Sequence, residues 1–138
     1  MNELQLKLCD IQGRLFELSA DNTYESSSFV KTFMNSEVAK ALDSTYNRMQ
    51  WAGEEYLLEE LVSTQRNLLN VGSDIYPKDV LYWMGYLYRY WHFYTGESSS
   101  RIYKQAPAHT MHQNYLMFHT MAPELAIDDL KEISKQKA

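Results

Sequence analysis

The chain has one cysteine, Cys9, and only three prolines and five glycines. A lone cysteine excludes an intramolecular disulfide framework and suits a reducing cytosol. So little proline and glycine argues against an all-β fold, which needs turn residues at short, regular intervals. No apolar run approaches the roughly 18 residues that a membrane helix requires. The best candidate, Val80–Tyr94, is interrupted by Arg89 and His92. The first residues, Met1-Asn2-Glu3-Leu4, lack the basic-then-apolar order of a signal peptide, so a cytoplasmic location is expected. An excess of positive charge is missing too: 13 Lys and Arg face 18 Asp and Glu, a net of −5, which opposes binding to phosphate backbones. There is no glycine-rich phosphate loop and no G-x-S-x-G elbow, and Cys9 lies beside Leu8 on an amphipathic helix as a small core residue. No catalytic set, metal site or cofactor is assigned. His109, His112 and His119 have permissive spacing for a metal, but no cysteine or nearby carboxylate completes a ligand set.

What the chain does have is aromatic mass: 11 Tyr, 5 Phe and 3 Trp. Its apolar spacing is helical. Leu4, Leu8, Ile11, Leu15 and Leu18 recur every three or four residues, which predicts an N-terminal amphipathic helix within 1–22, from about Asn2 to Ala20. Ser26-Ser27-Ser28 supplies N-cap hydroxyls before Phe29, and Asn35 or Ser36 can cap the turn that follows. A further helix is expected over about 44–63, then a loop over 64–76. Pro77 opens the next helix and Gly96 closes it. Ser98–Ser100, Pro107 and Pro123 each open one more, and 134–138 is expected to fray. The fold class is therefore all-α: a single-domain bundle of about six or seven helices over 1–138.

The helix after Pro77 is unusual. Tyr82, Trp83, Tyr86, Tyr88, Tyr90, Trp91, Phe93 and Tyr94 make it apolar almost all round, which marks a central, buried helix. Its predicted core arc runs through Val80, Trp83, Met84, Leu87, Tyr90, Trp91 and Tyr94. A second stripe, Tyr82–Gly85–Arg89–His92, combines a bare backbone with a fixed charge. A buried guanidinium needs a carboxylate, several carbonyls or ring stacking. On the helix near Trp51, Glu54 projects into an arc of Trp51, Leu57, Leu58, Leu61 and Val62. The expectation is that Glu54 pairs with Arg89 or with tyrosine hydroxyls of the aromatic helix.

The runs Phe33-Met34-Asn35-Ser36, Asn47-Arg48-Met49-Gln50-Trp51-Ala52-Gly53, Tyr82 to Trp91, and Phe118-His119-Thr120 before Pro123 resemble a family of small uncharacterised bacterial proteins, over about residues 25–133. That resemblance implies an all-helical protein associated with toxin–antitoxin-like modules, some with ADP-ribosyltransferase-like toxins. It implies no catalytic residue.

The residues and the resemblance together favour a protein-interaction module over an enzyme: an antitoxin-like neutraliser or accessory protein whose partner is a toxin encoded nearby. Trp51, Glu55 and Glu59 would form its rim, with Tyr82, Arg89 and His92 as anchors. Five acids (Glu54, Glu55, Glu59, Glu60, Asp74) against one base (Arg66) in Trp51–Asp74 would complement a basic surface. The alternative is a small-molecule sensor with an aromatic pocket around Gly85 and Arg89, suited to a planar anion. Self-association is compatible with either.

Overall fold

The structure, a computed structural model, describes residues 1–137. Among them are eight α-helices: α1 (Glu3–Asp21), α2 (Ser26–Met34), α3 (Glu37–Asp43), α4 (Glu54–Gln65), α5 (Lys78–Thr95), α6 (Ser99–Gln105), α7 (Ala108–Phe118) and α8 (Pro123–Lys137). Two 3-10 turns, Arg48–Trp51 and Arg66–Leu68, flank α4, and one isolated antiparallel bridge joins Tyr24 to Val71. The fold is all-α, and no described helix is long and apolar enough to cross a membrane.

Local signals place most helix ends. Asn2 caps α1 through a reciprocal box with Gln5, Ser36 caps α3 by accepting from the Ala39 amide, and Ser98 caps α6 by accepting from the Arg101 amide. Pro77 precedes α5, and Gly96 ends it in the left-handed region, at φ 79°. The helix expected over 44–63 is instead divided. Asn47 caps the Arg48–Trp51 turn by accepting from the Met49 amide at 2.9 Å, Ala52 is extended, and Gly53 precedes α4 as its N-cap. Helix α8 has helical geometry through Lys137, across most of the 134–138 tail, and Ala138 lies outside the described residues.

The axis of the bundle is the pair α1–α5. Contacts descend from Asp21–Lys78 through Gly13–Tyr82 to Gln12–Arg89, so the two helices run antiparallel. Helices α6, α7 and α8 also pack on α5, and α2 and α4 pack on α1. The buried face of α5 consists of Val80, Leu81, Met84, Gly85, Leu87, Tyr88, Arg89 and Trp91. It is rotated by about 80° from the predicted arc, at 100° per residue, toward the glycine side. Trp83 and Tyr90 are half-buried and Tyr94 is exposed. The cause is close helix approach. A Cβ on Gly85 would lie 2.5 Å from the Gln12 carbonyl oxygen, and one on Gly13 would meet the Tyr82 ring at 2.7 Å. The face of α1 shifts in step: Leu8, Cys9, Gln12, Gly13, Leu15, Phe16 and Ser19 are buried, while Ile11 and Leu18 are only partly so. Phe16 fills the next layer, edge-on to Phe29 and Phe33 at 5.4 and 5.5 Å between centroids.

Candidate functional site

Arg89 is wholly buried, and each part of its guanidinium has a partner. Nη1 donates to Asp43 Oδ1 at 2.6 Å, Nε donates to Gln12 Oε1 at 2.8 Å, and Nη2 donates to Ser99 Oγ at 3.2 Å. Gln12 Nε2 in turn donates to the Gly85 carbonyl at 2.9 Å, which orients the amide oxygen toward Arg89. Asp43 also accepts from the Ser99 amide at 2.8 Å and the Ser99 hydroxyl at 2.7 Å. One guanidinium thus ties α1, α3, α5 and α6 together. Burial pushes the Arg89 pKa down while Asp43 pushes it back up. An arginine stays charged in such a setting. Hence the pair is a structural knot.

This knot replaces two expectations. Asp43, not Glu54, is the counter-charge of Arg89, and Glu54 has no hydrogen bond or ion pair to Arg89 or to a tyrosine among the described residues. Glu54 instead occupies the first turn of α4, where partial solvation and the positive helix end satisfy a carboxylate. Four of the five tyrosine hydroxyls of α5 are bound elsewhere. Tyr82 donates to Asp10 at 2.5 Å, Tyr88 to the Ala106 carbonyl at 2.5 Å, Tyr90 to Glu124 at 2.8 Å and Tyr94 to Asp128 at 3.1 Å. Burial first, and the bond to Glu124 second, raise the Tyr90 pKa to about 12. The pocket expected around Gly85 and Arg89 is also overturned: the Gln12 backbone and the Phe16 ring occupy the space beside Gly85.

His92 lies at the edge of the knot. Its Nδ1 is 2.7 Å from the Glu97 carbonyl, which can only accept, so Nδ1 carries the hydrogen. The same nitrogen is 3.7 Å from Asp43. Ser99, although near His92 and Asp43, is buried and hydrogen-bonds the carboxylate directly, so this Ser/His/Asp set lacks the serine–imidazole contact that activates a nucleophile. The other histidines are dispersed. His112 stacks on Tyr76 at 4.1 Å, His119 stacks on Tyr115 at 4.2 Å, and His109 is exposed. Among the described residues no three His, Cys, Asp or Glu side chains group to hold a metal ion. Cys9 is fully buried, and burial raises its pKa to about 12 although Arg89 acts in the opposite sense.

The remaining predicted residues form a separate surface. Trp51 is 75% exposed at the end of its 3-10 turn, and Tyr46, at 93%, stands just before it. Arg48, Trp51 and Tyr56 line an open cleft of about 430 Å³ with Met49 and Ala52. Glu55 and Glu59 are exposed one turn apart on α4, and neither has an ion-pair partner among the described residues. The turn itself is anchored from beneath, because Gln50 is buried and donates to the Ser44 carbonyl. The predicted site therefore separates into two parts: Trp51, Glu54, Glu55 and Glu59 at the α4 end, and Tyr82, Gly85, Arg89 and His92 on the central helix.

Gln12, Asp43 and Ser99 escaped the sequence reading. Only Gln12 carries a readable signal, as a polar residue spaced four from Leu8 and three from Leu15 in an apolar stripe. No protein-family model, no curated protein and no solved structure matches the chain.

Proposed function

We propose that this chain acts by binding a partner protein through the Arg48–Trp51–Tyr56 face, as an antitoxin-like neutraliser or accessory protein. The observation that carries the reading is Trp51: a large indole left in solvent on a turn held by the Asn47 cap and by buried Gln50. Tryptophan, tyrosine and arginine dominate binding hot spots, and a turn that is ordered beforehand lowers the entropy lost on docking. Exposed Glu55 and Glu59 beside the rings favour a basic partner surface. Neutralisation would come from covering that surface rather than from chemistry. A cytoplasmic location agrees with the buried free thiol of Cys9.

Co-expression with the product of the adjacent gene tests the proposal. The two chains should co-purify, and growth inhibited by the neighbour alone should recover. Trp51→Ala should weaken both effects, in line with a roughly thirtyfold loss of affinity, and the double reversal Glu55→Lys/Glu59→Lys should abolish them, neither lowering the melting temperature. A neighbour that is harmless alone and does not co-purify would remove the support for this reading.

A further inference from the structure

Opposite the buried arc of α5 is a second cleft, of about 500 Å³, between α1, α5 and α7. Its walls are rings. Trp83 and Tyr115 meet edge to face at 5.6 Å and 77°, and Tyr82 and Tyr86 extend the surface with centroids 6.0 Å apart. His119 stacks against Tyr115 at 4.2 Å. Two carboxylates, Glu17 and Asp79, complete the lining. Two of the phenols donate to carboxylates, Tyr82 to Asp10 at 2.5 Å and Tyr115 to Asp79 at 3.3 Å, and a phenol bound to an anion presents a more negative ring face. The nearby cations are already engaged, Arg14 with Asp10 and Lys78 with Asp21. Counting Asp10, Glu17, Asp21 and Asp79 against Arg14 and Lys78, four acids meet two bases, a net of −2.

An anion is repelled from such a cleft, and a neutral apolar ligand would leave two carboxylates poorly solvated. A cation gains from both the ring faces and the charge. The nature of the cation follows from the scarcity of free acceptors. Asp79 is engaged by its own helix at the Val80 amide, at 2.9 Å, and by Tyr115, which leaves Glu17 as the carboxylate with no partner among the described residues. A guanidinium or primary ammonium would lose hydrogen bonds to water that one carboxylate cannot replace, whereas a quaternary ammonium has none to lose. We propose that the Trp83–Tyr86–Tyr115 cleft, with Glu17 at its rim, binds a trimethylammonium group of the kind carried by choline-type small molecules.

Titration of the intact protein with choline, followed by calorimetry and by the Trp83 indole NMR signal, tests this proposal. Saturable binding that shifts Trp83 and not Trp51 is expected, with affinity at least about tenfold above that for the uncharged tert-butyl isostere of choline. Glu17→Gln, which removes the charge and keeps the side chain's size, should weaken choline severalfold and leave the isostere unaffected. Trp83→Leu should abolish binding, with its melting curve showing that the fold persists. Equal affinity for choline and the isostere, tighter binding of an arginine ester than of choline, or no saturation would each overturn the assignment. Binding of a trimethyllysine peptide more than about tenfold tighter than choline would overturn its small-molecule part.

Discussion

Gly85 faces the Gln12 backbone so closely that a single methyl group there would lie 2.5 Å from the Gln12 carbonyl oxygen and 2.9 Å from its carbon. Both atoms belong to a helix, so neither can swing aside as the end of a flexible side chain could. Alanine is the better helix former, and on propensity alone Gly85→Ala would stabilise α5 by about 1 kcal/mol. Overpacking of this severity outweighs that gain. The expected net effect is a loss of about 2–3 kcal/mol, or roughly 6–12 °C in melting temperature for a chain of this size, measurable by circular dichroism.

The Arg89–Asp43 pair is asymmetric, with side-chain exposures of 0% and 13%. Removing the carboxylate strands a fully buried charge, so Asp43→Ala should cost about 3–5 kcal/mol. Removing the guanidinium leaves Asp43 near solvent and still bonded to Ser99, so Arg89→Met should cost less, about 1–2 kcal/mol. In a double-mutant cycle by urea unfolding, the pair should be less destabilised than Asp43→Ala alone. The opposite ordering of the two single variants would mean that Asp43 is not the principal partner.

Much of this fold is legible because its helix ends carry their own chemistry. Pro77 and Gly96 bound α5, and Ser36 and Ser98 cap short helices, all through contacts within a few residues of the helix end. What cannot be read locally is which face a nearly all-apolar helix turns inward. On α5 that choice is made by α1, where Gly13 facing Tyr82 and the Gln12 backbone facing Gly85 let the two helices approach closely. The same limit explains Asp43. It ends a seven-residue helix, where no periodicity sets an inward face, and its role appears only when α3, α5 and α6 meet. Glu54 looked better placed because its neighbours are apolar, but a carboxylate at a helix N-terminus is satisfied without a buried partner.

Glu97 makes stability depend on acid. Burial favours its neutral form, but hydrogen bonds from Lys131, Trp91, Gln105 and Thr95 outweigh that and lower its pKa from 4.5 to about 2. Lys131 Nζ and Trp91 Nε1 reach Oε1 at 2.6 and 3.0 Å, and Gln105 Nε2 reaches Oε2 at 2.6 Å, so the carboxylate joins α5, α6 and α8. A depressed folded-state pKa adds stability that is present above the unfolded value and is lost as pH falls through the folded one. The melting temperature should therefore decline between about pH 4.5 and pH 2. In Glu97→Gln it should start lower at neutral pH and decline less steeply over that window.

Trp51 offers a test of the proposed docking face that needs no partner at the outset. Of the three tryptophans, Trp91 is fully buried, Trp83 is half-buried and packed on Tyr115, and Trp51 is 75% exposed. Iodide, which quenches only accessible indoles, should remove a red-shifted part of the emission, and Trp51→Phe should lack that component. Because the indole buries little in the free chain, the substitution should change stability by no more than about 0.5 kcal/mol. In a complex the same indole should become protected, and its truncation to alanine should weaken binding by about 2 kcal/mol, roughly thirtyfold, as expected of a central anchor. Binding without protection of Trp51 from iodide would place the interface elsewhere on the bundle.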